Sequence, residues 1–182
     1  MSRTQKGYFM IFHFQIISQE HKNFRLEVEL NKRHTFFDFH SIIQKSLGYE
    51  SHQLASFFIS DKKGLKEKEI SMLDLGMNGA AYYIMQKTIL SDLIETKGQK
   101  LIYTFDFLND RSLLIELTDI IMEKILSEPL VTLKLGDTPQ QVLGEDVEVI
   151  DQESLDHQEE KAYMLFGELE DYTEIFGEMD DF

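Results

Sequence analysis

Three side chains in this sequence are of types that bind metal ions or transfer protons: His40, His52 and Asp106. Imidazole and carboxylate groups are common ligands of zinc and other transition metals, and a metal site needs three or four of them to converge. The chain lacks the paired histidines of a helix-borne zinc motif. One hypothesis is therefore a small metal-binding protein or hydrolase-like enzyme that uses these three residues. The alternative is that both histidines are hydrogen-bonded structural residues that brace a helix against a strand at 54–59.

Asp106 lies in an apolar stretch and is followed by Asn109, Asp110 and Arg111. A buried carboxylate in such a stretch would have a raised pKa and could act as an acid or a base. An ion pair of Arg111 with Asp106 or Asp110 would instead fix a turn between two strands. Because Asn109-Asp110 is a dipeptide that suits tight hairpins, we expect the turn.

The residue types that are missing exclude several other classes of chemistry. The chain has no cysteine, so it has no disulfide, thiolate metal site or cysteine nucleophile. It contains no phosphate-binding glycine motif and no nucleophile elbow, and no cofactor is predicted. Without a run of about 18 apolar residues, the chain is not expected to enter a membrane. The lack of cysteine is consistent with a cytoplasmic protein.

The negative charge of the chain is concentrated in its last residues. The net charge is −15, and residues 145–182 contain fifteen acidic residues and a single base, Lys161. The rest of the chain is nearly neutral. Such a segment repels phosphate backbones, so direct nucleic-acid binding through it is not expected, but it attracts basic protein surfaces.

Aromatic residues are interleaved with these acids and could anchor the segment on a partner. The spacing of Leu165, Leu169, Tyr172 and Phe176 predicts an amphipathic helix over 159–176. The main hypothesis is a non-enzymatic interaction module that binds a basic protein surface, such as a component of a nucleic-acid-processing machine. The residues expected to contact this partner are Tyr163, Phe166, Tyr172, Phe176, Phe182, Glu170, Asp171, Asp180 and Asp181.

A basic cluster lies within residues 62–68. Because Glu67 and Glu69 interrupt it, we predict a solvated loop there. A second interpretation is a docking site for the acidic segment or for a partner. The cluster consists of Lys62, Lys63, Lys66 and Lys68.

The elements that would position these residues follow from hydrophobic periodicity. Two alternating stretches, 8–17 and 24–30, are joined by a short polar link and predict an antiparallel hairpin. Thr35 and Asp38 have the spacing of a capping box and begin a helix that ends at Gly48. A loop is expected within 67–86. Further strands are predicted at 54–59, 101–107, 113–121 and 130–135, the last with Val131, Leu133 and Leu135 facing inwards.

The order of these elements, β-β-α-β-β-β, predicts an α+β fold. We expect a mixed or mainly antiparallel sheet of five to six strands with one main helix. Residues 1–141 would form this domain, and residues 142–182 an acidic, aromatic-containing segment with one helix.

Several motifs occur together in a fixed order: 35–44, Leu47-Gly48-Tyr49, 52–57, Tyr103 to Phe107, and the region from Pro129 to Gln140. In this combination, over roughly residues 8–141, the chain resembles the plasmid pRiA4b ORF-3-like family. The resemblance implies a compact bacterial α+β domain without an established activity, and a further hypothesis is an accessory protein of a mobile element. The polar motif of that family is altered here: Leu108, Asn109, Arg111 and Leu113 stand where the family has glycine, aspartate, tryptophan and histidine.

Overall fold

The structure of the protein is a computed structural model that describes residues 10–61, 63–74, 83–122 and 124–143. A 3₁₀ turn lies at Leu90–Asp92. The helix and the strands are β1 (Met10–Ser18), β2 (Arg25–Asn31), α1 (Phe36–Leu47), β3 (Ser56–Ser60), β4 (Lys66–Ser71), β5 (Tyr83–Ile84), β6 (Lys100–Asp106), β7 (Arg111–Met122) and β8 (Leu130–Leu135).

The strands form one sheet in the order β5-β4-β3-β6-β7-β1-β2-β8. All described pairings are antiparallel except that of β4 with β5. The α+β class with one main helix is confirmed. The number of strands is eight rather than five to six, because β4 and β5 lie in the region where a loop is expected.

The sequence pattern of β4 explains why a loop, and not a strand, is predicted there. Its residues, KEKEIS, alternate lysine with glutamate, and only Ile70 is buried. A strand near the edge of a sheet needs few apolar residues, so it lacks the alternation of apolar and polar side chains that identifies a half-buried strand. Its partner β5 has only two residues, too few to produce a pattern.

Helix α1 packs against one face of the sheet, which we call the near face; the opposite one is the far face. Phe39 of α1 stacks on Phe14 of β1 and Phe57 of β3, with ring centroids 4.6 and 5.1 Å apart. All three side chains are fully buried. Burying a side chain of this size stabilises the fold by about 1.5–3 kcal/mol, so these rings fix the helix on the central strands.

The predicted capping box at the start of α1 is confirmed. The backbone N–H of Asp38 donates to Thr35 Oγ1 at 3.1 Å, and the backbone N–H of Thr35 donates to Asp38 Oδ2 at 2.8 Å. Gly48 ends the helix in the left-handed conformation. The box satisfies two backbone donors that an α-helix leaves unpaired at its N-terminus.

The predicted inward orientation of the last strand is wrong for Leu133 and Leu135, whereas Val131 pairs with the buried Val28 and shares its face. Val131 is 38% and Leu135 52% exposed, and Leu133 is half-buried. A bulge between Glu27 and Val28 shifts the register, so that Leu133 pairs with Glu27 instead of with an apolar residue of β2. Since β8 is also the last strand of the sheet, its apolar residues gain little burial.

The described residues as far as Val142 belong to one compact unit. The helix expected over 159–176 and the nine predicted partner-contacting residues lie outside the described residues. Among the helices of the described part, none has the length and apolar character needed to cross a bilayer.

Candidate functional site

His40 lies in the core on the inner side of α1 and is only 2% exposed. The Nε2 amide of Gln44 donates to the Tyr103 hydroxyl at 2.6 Å, and that hydroxyl lies 2.8 Å from His40 Nδ1. This geometry lets Tyr103 accept from Gln44 and donate to His40. Burial lowers the pKa of His40 to about 4, so its imidazole is neutral at neutral pH. His40 therefore links α1 to β6 of the sheet.

His52 has a different environment in the loop after α1. Its side chain is 73% exposed, and its Nε2 lies 3.2 Å from a carboxylate oxygen of Glu50. His52 and His40 thus have separate partners, and the interpretation of His52 as a brace between helix and strand is wrong because the ring faces solvent. In the described ranges, no group of three or more His, Asp or Glu side chains is placed to hold a metal ion.

Asp106 organises the turn between β6 and β7. Its Oδ1 accepts from the backbone N–H groups of Leu108 and Asn109 at 3.1 and 3.2 Å, and its Oδ2 accepts from the Asn109 side chain at 2.8 Å. Burial alone would raise the pKa of Asp106, but these bonds and the charge of Arg111 outweigh it and lower the pKa below its ordinary value. The turn is therefore confirmed, and the alternative of a raised pKa is wrong.

Arg111 is the centre of a larger polar cluster than its place in the turn suggests. Its side chain is 7% exposed, and its Nε and Nη2 donate to the two carboxylate oxygens of Glu20 at 2.9 and 2.7 Å. The Asp106 carboxylate lies 3.6 Å from Nη1, and the guanidinium lies 5.0 Å from the centre of the Phe105 ring. Bidentate pairing and stacking suit arginine and not lysine. The hydrogen bonds that Arg111 donates to Glu20 raise the pKa of the guanidinium, so the charge is permanent.

The same arginine holds the chain immediately before the acidic segment. Arg111 Nη2 donates to the Gln140 carbonyl at 2.6 Å and Nη1 to the Gln141 carbonyl at 3.2 Å. The Tyr49 hydroxyl donates to the Pro139 carbonyl at 2.7 Å. We call this arrangement the exit clamp: Glu20, Tyr49, Arg111 and the backbone carbonyls of residues 139–141.

The side chain of Gln141 adds two further bonds to the body of the protein. Its Oε1 accepts from the Glu50 N–H at 2.6 Å, and its Nε2 donates to the Glu50 carbonyl at 2.9 Å. The polar groups of the exit clamp are thus occupied with one another, an arrangement that holds a chain segment and is unlike a site for proton transfer. Burial raises the pKa of the Tyr49 hydroxyl, which stays protonated and remains a donor.

The exit clamp could not be found by reading the sequence. Arg111 is separated from Glu20 by 91 positions and from Gln140 by 29. The sequence suggests an ion pair for Arg111 only with Asp106 or Asp110, which are nearby in the chain. Asp110 instead pairs with Lys66 at 3.3 Å.

Residues 10–163 match the sequence model of the plasmid pRiA4b ORF-3-like proteins. The chain belongs to this family. The match contains α1, the whole sheet and the exit clamp, and it continues beyond residue 141, to Tyr163 of the acidic segment. The family assignment thereby confirms the resemblance seen in the motifs.

Among solved structures, the chain is similar to a protein of unknown function, MM3350, from Methanosarcina mazei Go1. The two share 23% identity with a TM-score of 0.55, over 71% of this chain and 72% of the other. At this identity the similarity shows a shared fold. No curated protein matches the chain. For this pRiA4b ORF-3-like chain, arguments about function therefore rest on its own residues.

Proposed function

We propose that this protein is a non-enzymatic interaction module whose acidic C-terminal segment binds a basic protein surface. The observation that carries the proposal is the charge distribution: residues 145–182 contain fifteen acids and one base, whereas the rest of the chain is close to neutral. Long-range attraction to a basic surface would accelerate the encounter, and desolvated aromatic side chains would slow dissociation.

Candidate anchors for this contact are five aromatic residues with acids close beside them. Aromatic side chains are enriched among the residues that dominate binding energies, and carboxylates beside them select a basic partner. The proposed contact residues are Tyr163, Phe166, Tyr172, Phe176, Phe182, Glu170, Asp171, Asp180 and Asp181.

The exit clamp supports this proposal because it anchors residues 139–141 to the folded unit. Four hydrogen bonds to the backbone or side chains of residues 139–141 come from Arg111, Tyr49 and Glu50. They fix the chain four residues before the first acid of the segment, Glu145. The clamp would keep the folded unit intact while the segment engages a partner.

A basic partner surface is typical of proteins that themselves bind nucleic acid, so we place the partner in a nucleic-acid-processing machine of the cytoplasm. The segment itself would not contact the phosphate backbone, because both carry negative charge. The protein would act there as an adaptor.

A pull-down at low and high salt tests this function. The full chain and a chain ending at residue 144 are immobilised, and bound proteins are identified by mass spectrometry. We expect the full chain to retain a basic protein at low salt and to release most of it at high salt, because surface charge pairs are screened. The shortened chain, shown to be folded by circular dichroism, should retain none. Equal recovery of the same proteins on both chains would contradict the proposal.

A further inference from the structure

The far face of the sheet contains a concavity of about 590 Å³. Its floor includes a row of apolar side chains from three neighbouring strands: Ile17 of β1, Leu114 of β7 and Ile102 of β6. Ile17 is 39% exposed and the other two are half-buried. Because adjacent strands lie about 4.8 Å apart, the row is on the order of 10 Å long.

Polar residues border the row on both sides. Since alternate residues of a strand share a face, Gln15, Glu116 and Lys100 lie along one side. Ser112 and Thr104, whose hydroxyls are 2.9 Å apart, lie along the other side. The apolar surface is therefore one side chain wide, which suits a single hydrocarbon chain and is too narrow for the apolar centre of a protein interface.

Lysines surround one end of the row. Phe58 of β3 pairs with Ile102 and continues the row, and Lys66 Nζ lies 4.6 Å from the centre of the Phe58 ring. Lys63, in the turn between β3 and β4, and Lys100 also line the concavity. Within the described part of the chain, neither Lys63 nor Lys100 has a carboxylate in ion-pair contact, whereas Lys66 pairs with Asp110 at 3.3 Å.

The lining residues carry an excess of one positive charge. Three lysines face two carboxylates, those of Asp110 and Glu116. A ligand with one negative group would neutralise this excess. The volume lies in the range of small-molecule sites, about 300–1,000 Å³.

We propose that this concavity binds a small amphiphilic carboxylate. Its carboxylate would lie among Lys63, Lys66 and Lys100, and its apolar body would lie along Ile102, Leu114 and Ile17. The two ends of the site differ, since three lysines lie towards the β3–β4 side. At the other end Ile17 is bordered by Gln15 and Gln19, and the cation beside it, Arg25 of β2, is paired with Glu27. This binding is independent of the role proposed for the acidic segment.

Decanoate is the probe for this site, with decanol and acetate as matched controls that lack the charge or the apolar body. Each is titrated, below its aggregation concentration, into the ¹⁵N-labelled full chain. We expect decanoate to shift the amide signals of Ile17, Ile102 and Leu114 saturably, decanol to bind at least about tenfold more weakly, and acetate to cause no shift there. Equal affinity for decanol, or shifts confined to other regions, would overturn the proposal.

Two variants locate the ends of the ligand. Lys100→Gln should weaken decanoate binding by about fivefold, and Ile17→Thr, which keeps the strand propensity, should weaken it by a similar factor. Lys45→Gln on the exposed surface of α1 is the matched control and should leave the affinity unchanged. Equal effects of the two lysine substitutions would show general charge attraction and would overturn the site. An acidic peptide that shifts these signals where decanoate does not would also overturn it, in favour of a protein-docking surface.

Discussion

The imidazole of His40 is buried where its charged form is unfavourable. Its Nδ1 faces the Tyr103 hydroxyl, and Tyr103 is in turn bonded to Gln44. In the unfolded chain a histidine takes up a proton near pH 6.5, whereas the folded pKa is about 4. As the pH falls from 6.5 towards 4, the unfolded state gains protons that the folded state does not, so the folded state loses stability.

A His40→Asn variant tests this linkage, because the amide oxygen can replace Nδ1 as an acceptor and does not titrate. Between pH 7 and pH 5, the free energy of unfolding of the wild type should fall by about 2 kcal/mol more than that of the variant. Urea unfolding at both pH values measures the difference. His52→Asn, at an exposed histidine, is the matched substitution control. Parallel pH dependences of wild type and His40→Asn would contradict the account of His40.

Arg111 is the residue on which most contacts of the exit clamp depend. Replacing it by methionine removes the pair with Glu20 and both bonds to the carbonyls of residues 140 and 141. We expect Arg111→Met to lower the free energy of unfolding by about 1–3 kcal/mol, because four hydrogen bonds of a buried guanidinium are lost, while the Glu20 carboxylate is partly exposed and can be hydrated. Faster amide hydrogen exchange at residues 139–142 should accompany the loss.

Arg25→Met is the control for this prediction. Arg25 pairs with Glu27 on the surface, and its side chain is 47% exposed. An exposed pair contributes about 0–1 kcal/mol, so this change should have little effect. If the two substitutions lowered the free energy of unfolding by similar amounts, this would refute the claim that Arg111 contributes more because it is buried and makes several hydrogen bonds.

Local and long-range residue contacts differed in how well they could be predicted. The Asp106 turn follows from residues within five positions of one another, and the capping box from Thr35 and Asp38. Nothing in the sequence around Glu20 or Gln140 identifies either residue as a partner of Arg111. Both lie in polar stretches of the kind that surround any surface glutamate or glutamine. The interpretation of His52 failed because an imidazole in a loop is equally compatible with solvent exposure.

Gly136 determines how β8 leaves the sheet. Its φ is +74°, and a Cβ added there would lie 2.2 Å from the backbone oxygen of Asn23 in the β1–β2 loop. That distance is far inside van der Waals contact with backbone atoms, which cannot rotate away. The close approach therefore joins the end of β8 to the β1–β2 hairpin.

Gly136→Ala should push the end of β8 away from the backbone of Asn23. It should therefore destabilise the protein more than Gly98→Ala does. Gly98 has a similar φ, +85°, with nothing within 4 Å of an added Cβ. The backbone strain of about 1–2 kcal/mol is common to both changes, so any excess for Gly136→Ala comes from the collision. Thermal unfolding of the two variants measures the excess. Indistinguishable melting temperatures would mean that the β1–β2 loop moves aside without cost.

At the level of elements, hydrophobic periodicity predicted the parts of the chain that carry the core. The β1–β2 hairpin, α1 and the β6–β7 pair all have alternating or helically spaced apolar residues, and the structure contains each of them. Periodicity fails for β4 because it buries a single residue, and for β8 because a bulge in the pairing with β2 changes which side chains face the core.

The whole molecule combines a nearly neutral sheet domain with a strongly acidic segment. The domain organisation predicted from the sequence, 1–141 and 142–182, remains a prediction, and residues 144–182 lie outside the described residues. The family match extends through residue 163 and includes part of that segment. The acidic segment therefore contains residues that belong to the family pattern as well as residues beyond it.

The central claim concerns charge, and it can be separated from the aromatic contribution in the full chain. One variant replaces Glu170, Asp171, Asp180 and Asp181 by the corresponding amides; a second replaces Tyr172 and Phe176 by leucine. If attraction to a basic surface drives the encounter, the first variant should associate more slowly with the partner recovered in the pull-down. The second should mainly dissociate faster.

The salt dependence of the affinity of the full chain for that partner is the most direct test. Titration calorimetry at low and at physiological ionic strength should show the dissociation constant rising on the order of tenfold, and the amide variant, which keeps eleven of the fifteen acids, should show a smaller rise. A dissociation constant that is the same at both ionic strengths, for the wild type as for the amide variant, would contradict the account.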